Sequence, residues 1–218
     1  MAKSVYSLVL EDEVVAEVDR LAYSVGSNRS AMINRILADY FSYMTPEKRI
    51  RTVFQEVERW MDPINGFRMQ RLPSESMMSI HSALAYKYNP IIRYTLELYR
   101  EDDNLAGELR VGFRTQNQQL IAAFNHFLQI WVRLEQNYIG RHFRNSTVPC
   151  RIENGRYCRL FRTPVNDNNE QLGKAIAQYV RMFDAVLKVY FSHISHPDVL
   201  LYTEDAYQTC LKQFETVI

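Results

Sequence analysis

The sequence lacks the features that identify membrane-spanning and secreted proteins. No window approaches 18 uninterrupted apolar residues, and no charged and then apolar signal region opens the chain. The three cysteines, Cys150, Cys158 and Cys210, are odd in number and form no C-x-x-C pair, which suits buried thiols in a reducing compartment. We therefore expect a cytoplasmic protein that has no membrane partner.

The sequence also lacks the motifs of common enzymes, since G-x-S-x-G, the P-loop, G-x-G-x-x-G and H-E-x-x-H are all missing. His193 and His196 lie three positions apart, but Pro197 follows them directly. No cysteine or carboxylate pattern completes a set of four metal ligands around them. Surface or capping histidines are the better interpretation, and we predict no catalysis, no metal and no cofactor.

The composition is that of an ordinary globular protein. The chain has 218 residues, of which 47% are hydrophobic and 23% charged, enough for one large domain or a small and a medium one. The net charge of +1 argues neither for nor against nucleic acid. The 14 tyrosines and 11 phenylalanines predict a well-filled core. An aromatic-lined pocket is the less favoured interpretation of one group, Tyr86, Tyr88, Tyr94, Tyr99 and Trp131.

The opening segment predicts one strand and two helices. Residues 5–10 alternate between Tyr6, Leu8 and Leu10 on one face and Val5, Ser7 and Val9 on the other, as a strand does. Acidic residues at 11–13 favour a helix start, and Gly26 ends that helix. Ser27 or Asn28 caps the second helix. The apolar faces of the two helices comprise Val14, Val15, Val18, Leu21, Ala22, Met32, Ile33, Ile36, Leu37 and Tyr40.

This segment cannot form a complete core on its own. A lone strand leaves a row of unpaired backbone N–H and C=O groups, and two short helices bury too little area. A second copy solves both problems, because two strands then pair antiparallel across a two-fold axis and four helices cover one face of the ribbon. We therefore predict a homodimer.

The order and spacing of these features resemble the ribbon-helix-helix DNA-binding family over residues 3–44. The likeness lies in the strand, the L-E-D-E helix start, D-R-L-A, the glycine and N-R-S at the second helix. It implies that the paired ribbon enters the major groove of double-stranded DNA. It also implies that the N-terminus of the second helix binds a backbone phosphate.

The resemblance assigns roles to individual residues. The ribbon residues that would face the bases or the sugar-phosphate backbone are Lys3, Val5, Ser7 and Val9. Asn28, Arg29 and Ser30 would hold the phosphate. Family members usually present two or three polar or basic ribbon side chains, whereas two of three here are valines, which can contact a thymine methyl but make no bidentate hydrogen bond. Weak direct readout is therefore expected, and a dimerisation module that never meets DNA is the alternative.

The rest of the chain predicts a connecting helix and a second domain. Thr45 and Pro46 open a helix that runs to about residue 61, and its basic group Lys48, Arg49 and Arg51 would either touch flanking DNA or face solvent. Residues 62–75 are rich in turn signals. We therefore expect a DNA-binding and dimerisation domain at 1–45, a connecting helix at 46–61, and an effector or oligomerisation domain at 62–218.

The second domain shows a repeated pattern. Strands are predicted at 91–100 and 108–115 before a helix at 117–139, then at 148–153 and 156–163 before a helix at 169–192. The two units share G-x5-F-R-T, at 107–115 and 155–163, and N-x-Q-L, at 117–120 and 169–172. This predicts a tandem hairpin–helix repeat in an α+β domain. Residues 67–88 would supply a further strand and helix, although Met77, Ile80 and Leu84, which fit a helix, fit a strand equally well with the alternation through Tyr86 and Tyr88. Residues 203–217 predict a last helix.

The repeated Phe-Arg-Thr is the candidate recognition feature of this domain. Arg114 and Arg162 each end a strand shortly before a helix start. Together they would offer two guanidinium groups to an anionic ligand, although solvent-exposed arginines are the favoured interpretation.

These observations favour a homodimeric DNA-binding transcriptional regulator, such as a repressor, that forms a dimer or a higher oligomer. Its C-terminal domain would sense a small-molecule or protein effector or mediate oligomerisation. Two alternatives remain at this point. One is a plasmid partition or DNA-transfer accessory protein with the same DNA module, and the other is a dimeric scaffold that does not bind DNA.

Overall fold

A computed structural model describes residues 5–61, 66–100, 105–153, 155–163 and 168–213. The chain divides into two compact units, Met1–Arg49 and Ile50–Ile218, called here the N-terminal unit and the C-terminal unit. Among the described residues the fold is mixed α and β, with six α-helices and one six-stranded antiparallel sheet.

Two helices make up most of the N-terminal unit: α1 (Asp12–Ser24) and α2 (Arg29–Tyr40). Its small buried cluster contains Val18, Ala22 and Met32, with Ile33 packed against it. Residues 5–10 lie outside helices and strands. The strand predicted there needs a second strand as its hydrogen-bonding partner. The partner expected from the sequence is a second copy of the chain, so the strand stays a prediction.

The connecting helix α3 (Pro46–Trp60) begins as predicted. Thr45 Oγ1 accepts a hydrogen bond of 3.1 Å from Lys48 N–H, which caps the first turn. The division between the two units falls at Arg49 and Ile50, within this helix.

The sheet of the C-terminal unit has the spatial order β1-β2-β3-β4-β6-β5, and every neighbouring pair is antiparallel. Its strands are β1 (Phe67–Arg71), β2 (Met77–Ala83), β3 (Ile91–Leu98), β4 (Leu105–Phe113), β5 (Cys150–Glu153) and β6 (Arg156–Arg162). The helices are α4 (Gln118–Ile139), α5 (Asn169–Ser192) and α6 (Val199–Leu211), with short 3-10 turns at Gly140–His142 and Arg144–Ser146.

The main core lies between one face of the sheet and the helices. Trp131 of α4 and Phe183 of α5 are fully buried, with ring centroids 4.6 Å apart, and Tyr94 of β3 packs edge-on against Phe183. A Cβ atom on Gly173 of α5 would lie 2.7 Å from the carbonyl oxygen of Val53. The glycine therefore permits the close approach of α3 and α5.

Two expectations for this unit are corrected, and one open alternative is decided. Residues 62–75 were predicted as a turn-rich boundary, but β1 lies within that stretch, and 62–65 lie outside the described residues. Of the two interpretations left open within residues 67–88, the strand is the one found, as β1 and β2. The last helix begins at Val199, earlier than predicted, because Val199 packs against the main core; residues 214–217 of the predicted helix lie outside the described residues.

The hairpin–helix order occurs twice, as β3-β4-α4 and β5-β6-α5, but the repeated letters do not all occupy equivalent places. Gly107 lies inside β4, whereas Gly155 precedes β6 with a φ of 69°. Asn117 caps α4, whereas Asn168, and not the matched Asn169, caps α5. The matched letters therefore do not define two identical units.

Candidate nucleic-acid interface

The turn between α1 and α2 shapes the predicted phosphate site. Gly26 has a φ of 64°, which suits glycine, and Ser27 N–H donates to the Ala22 carbonyl at 2.8 Å. Asn28 Oδ1 accepts a hydrogen bond of 3.0 Å from Ala31 N–H and caps α2. The N–H groups of the first turn have no acceptor within a helix, so the N–H groups of Arg29 and Ser30 face the side from which an anion would approach.

Arg29 does not offer a free guanidinium at this site. Its Nε and Nη2 donate hydrogen bonds of 2.8 Å and 2.6 Å to the two carboxylate oxygens of Asp19 on α1. These hydrogen bonds lower the pKa of Asp19 and raise that of Arg29. Both side chains remain about half exposed. The pair joins the two helices and leaves Arg29 partly neutralised.

The predicted base-facing residues are open to solvent. Val5 and Val9 are fully exposed, and Ser7 between them is exposed too. Ser30 is also exposed. Lys3 lies outside the described residues. The structure thus brings Asn28, Arg29 and Ser30 together at one helix end, and leaves the ribbon residues on an unpaired segment.

The N-terminal unit exposes an unusual amount of apolar surface. Of the 20 exposed large hydrophobic residues found among the described residues, 15 lie between positions 5 and 44. They include Leu8, which is 61% exposed, and Leu37, which is 46% exposed. An open cleft of about 370 Å³ is lined by Asn34, Leu37, Ala38, Phe41 and Tyr43. Several residues predicted to be buried are therefore exposed in one chain.

The structure does not bring Arg114 and Arg162 together. Arg162 pairs with Leu105 at the start of β4, whereas Arg114 follows the last residue of that strand. At about 3.3 Å per residue, the two positions are roughly 25 Å or more apart along the strand. Arg162 lies over the ring of Phe143, 5.3 Å from its centroid, while Arg114 is exposed. A single small anion cannot contact both.

The two histidines near the end of α5 pack around an aromatic ring. The His193 and His196 rings lie 4.5 Å and 5.1 Å from the ring centroid of Tyr202. Within the described ranges, no group of three or more histidines, cysteines or carboxylates is arranged to hold a metal ion. The five aromatic residues of the less favoured pocket separate as well, since Tyr94 and Trp131 are buried while Tyr88 is 92% exposed.

Sequence reasoning missed a buried polar cluster in the C-terminal unit. Glu135 of α4 and Arg159 of β6 are both completely buried, with Nε 3.4 Å from Oε1. Glu135 also accepts hydrogen bonds from the hydroxyl groups of Tyr157 and Tyr179. The Trp131 indole N–H donates to the Tyr179 hydroxyl at 3.3 Å. We refer to these five residues as the buried polar cluster.

Burial gives the buried polar cluster a structural role. Desolvation, with the Glu135 charge as second cause, raises the pKa of Tyr157 and Tyr179 well above the usual value. Both hydroxyls are therefore fixed as donors. The guanidinium of Arg159 lies over the Phe143 ring, 4.8 Å from its centroid. No sequence motif marks these residues, because they come from separate elements.

Comparison of the chain with protein-family models, curated proteins and solved structures found no match. In the part of the chain that the structure describes, no helix has the length and hydropathy needed to cross a membrane.

Proposed function

We propose that the chain is a homodimeric, sequence-specific DNA-binding transcriptional regulator. Two N-terminal units pair through residues 5–10 to form a ribbon that enters the major groove of double-stranded DNA. The C-terminal unit serves ligand sensing or oligomerisation. The single observation that carries this proposal is the exposed apolar surface of the N-terminal unit.

That surface favours pairing with a second copy. Leu8 is 61% and Leu10 40% exposed in one chain, and burying a leucine contributes about 1.5–3 kcal/mol. The exposed residues Ile36 and Leu37 extend the apolar surface onto α2. Pairing of two copies would bury these side chains and satisfy the backbone groups of residues 5–10.

The end of α2 supports the DNA contact. The capping Asn28 and the N–H groups of Arg29 and Ser30 provide the features that bind a backbone phosphate at a helix N-terminus. Such contacts fix the position of the protein on DNA without reading the bases. Because Asp19 holds the Arg29 guanidinium, the backbone N–H groups and Ser30 supply most of this contact.

The ribbon is poorly equipped to read bases by hydrogen bonding. Val5 and Val9 contribute apolar contacts such as those with thymine methyl groups, and Ser7 provides one hydroxyl. Assembly through the C-terminal unit would add selectivity by setting the separation of successive ribbons. An effector would then act by binding the DNA-competent and incompetent states with different affinity.

A mobility-shift assay on DNA from upstream of the chain's own coding region tests the proposal. We expect sequence-selective binding that Ser30→Ala weakens strongly and that Arg29→Ala weakens less, because Asp19 already holds the Arg29 guanidinium. Arg20→Ala is the matched control for Arg29→Ala, because Arg20 is also an exposed arginine of this unit paired with an acidic residue, Glu17. An intact dimer that binds no DNA at low salt would reject the proposal and leave only dimerisation.

Ser7→Ala tests base reading separately. We expect it to change the preference between operator sequences more than the total affinity. A uniform loss of affinity on all sequences would show that Ser7 does not read a base.

A further inference from the structure

The two faces of the sheet in the C-terminal unit carry different side chains. Successive residues of a strand point to opposite faces. Ile80, Tyr94 and Val111 are fully buried in the core between sheet and helices. Their neighbours His81, Arg93 and Gly112 therefore point to the other face, called here the open face.

Three arginines form a line across the open face. Arg68 of β1 pairs with His81, which pairs with Arg93, and Arg93 pairs with Gly112 of β4. Arg156 lies beyond Gly112, since a Cβ atom on this glycine would lie 3.2 Å from Arg156 Cγ. We call Arg68, Arg93 and Arg156 the arginine row. Strands lie about 4.8 Å apart, so the arginines recur at roughly 10 Å.

The arginine row carries positive charge that the described residues do not neutralise. All three arginines are exposed, and no described acidic residue lies within ion-pair distance of any of them. His81, between two of them, has its pKa lowered by burial and by the charge of Arg93. The local potential is therefore positive.

The neighbouring positions on the open face contrast with the arginine row. Arg110 contacts Glu97 and Glu108, and Arg151 contacts Glu108 and Glu153. Glu153 also pairs in register with Arg156, but its carboxylate lies 2.8 Å from Arg151 Nε. Arg110 and Arg151 thus have acidic partners, whereas the three arginines of the arginine row have none among the described residues.

We propose that the arginine row binds the phosphodiester backbone of double-stranded DNA. Guanidinium groups form bidentate hydrogen bonds with phosphate oxygens. Their spacing along a sheet surface suits a polymer with repeated negative charges better than one small anion. The row contains no aromatic side chain for base stacking, on which binding of single strands relies. The contact does not depend on the N-terminal unit and is independent of base sequence.

The salt dependence of DNA binding tests this contact in the full chain. The variant Arg68→Ala/Arg93→Ala/Arg156→Ala is compared with wild type on a fluorescent duplex of random sequence by anisotropy. Each lost phosphate contact lowers the slope of log K against log salt by about 0.9, so a decrease of about 2 to 3 is expected. The control Arg133→Ala/Arg141→Ala/Arg181→Ala removes three exposed arginines that lie outside the sheet and should leave the slope unchanged.

Other outcomes of the same assay would overturn the contact. The proposed contact is contradicted if the alanine variant of the arginine row keeps the wild-type slope. It is also contradicted if the control variant shows an equal decrease in slope. Replacing the row with three lysines keeps the charge and should preserve most of the slope, which separates loss of contact from misfolding. Displacement of the duplex by inorganic phosphate, beyond the effect of chloride at equal ionic strength, would identify a small-anion site instead.

Ser30→Ala in parallel separates this contact from the proposed function. If only Ser30→Ala weakens binding, the arginine row is rejected and the N-terminal proposal stands. If only the alanine variant of the arginine row weakens binding, the N-terminal proposal is rejected and the contact through the arginine row stands. Wild-type protein that binds no duplex at low salt rejects both.

Discussion

Glu135 and Arg159 form an ion pair with no solvent exposure, 3.4 Å apart, between α4 and β6. Removing one member of a buried pair leaves the other charge uncompensated, which typically costs about 3–5 kcal/mol. We expect Glu135→Leu to lower the free energy of unfolding by that amount in urea denaturation. The double variant Glu135→Leu/Arg159→Met should recover a large part of the loss.

The matched control for this pair is on the surface. Arg151 and Glu153 form an exposed ion pair, and Glu153→Gln should change the free energy of unfolding by less than about 1 kcal/mol. Equal effects of Glu135→Leu and Glu153→Gln would contradict the structural role given to the buried polar cluster.

Asp19 competes with DNA phosphate for Arg29. Asp19→Asn removes a negative charge and releases the guanidinium, so we expect tighter binding to a non-specific duplex and a salt slope steeper by about one contact. Glu17→Gln is the control, because Glu17 pairs with Arg20 on the same helix. If Asp19→Asn binds DNA no better than Glu17→Gln, Arg29 does not contact phosphate.

His81 makes stability depend on pH. Its pKa is lowered in the folded protein, chiefly by burial, so the unfolded chain binds the proton more tightly. The contribution of neutral His81 to the free energy of unfolding is therefore complete above the unfolded pKa of about 6.5, and it is lost as the pH falls below that value. The advantage of wild type over His81→Asn in free energy of unfolding should shrink from about pH 7.5 to about pH 5.5. His142→Asn, which replaces an exposed histidine, is the control. If the advantage of wild type over His81→Asn stays the same across this pH range, His81 does not have this role.

Cys150 should react slowly as a thiol. Burial, followed by the charge of Glu135, raises the pKa of its thiol to about 11. Because the thiolate is the reactive form, alkylation at about pH 8 should be on the order of 100-fold slower in the folded protein than in urea. The variant Cys158→Ser/Cys210→Ser isolates this thiol for mass spectrometry. Rapid alkylation of the folded variant would show that the site is open.

Periodicity in the sequence predicted most elements of the C-terminal unit. The long apolar stripes of α4 and α5 and the alternation of β3 and β6 are local patterns, so a single sequence reveals them. Matched letters do not always occupy equivalent positions, as Gly107 and Gly155 show, and as Asn117 and Asn169 show, since α5 is capped by Asn168.

The buried polar cluster and the arginine row were not predicted. Glu135 lies in α4 next to apolar residues, and nothing local shows that Arg159 of another element neutralises it. The three arginines of the row come from β1, β3 and β6, and only the register of the sheet aligns them. Both features depend on tertiary contacts, which local sequence patterns do not encode.

The most direct test of the account is the mass of the protein in solution, measured by sedimentation velocity. We expect twice the 25.7 kDa of one chain for wild type, and a single-chain mass for Leu8→Glu/Leu10→Glu, whose charges fall on the face that two copies would bury. Val5→Glu/Val9→Glu places the same charges on the opposite face and should remain a dimer that has lost sequence-selective DNA binding. A single-chain mass for wild type, or a two-chain mass for Leu8→Glu/Leu10→Glu, would contradict pairing through residues 5–10.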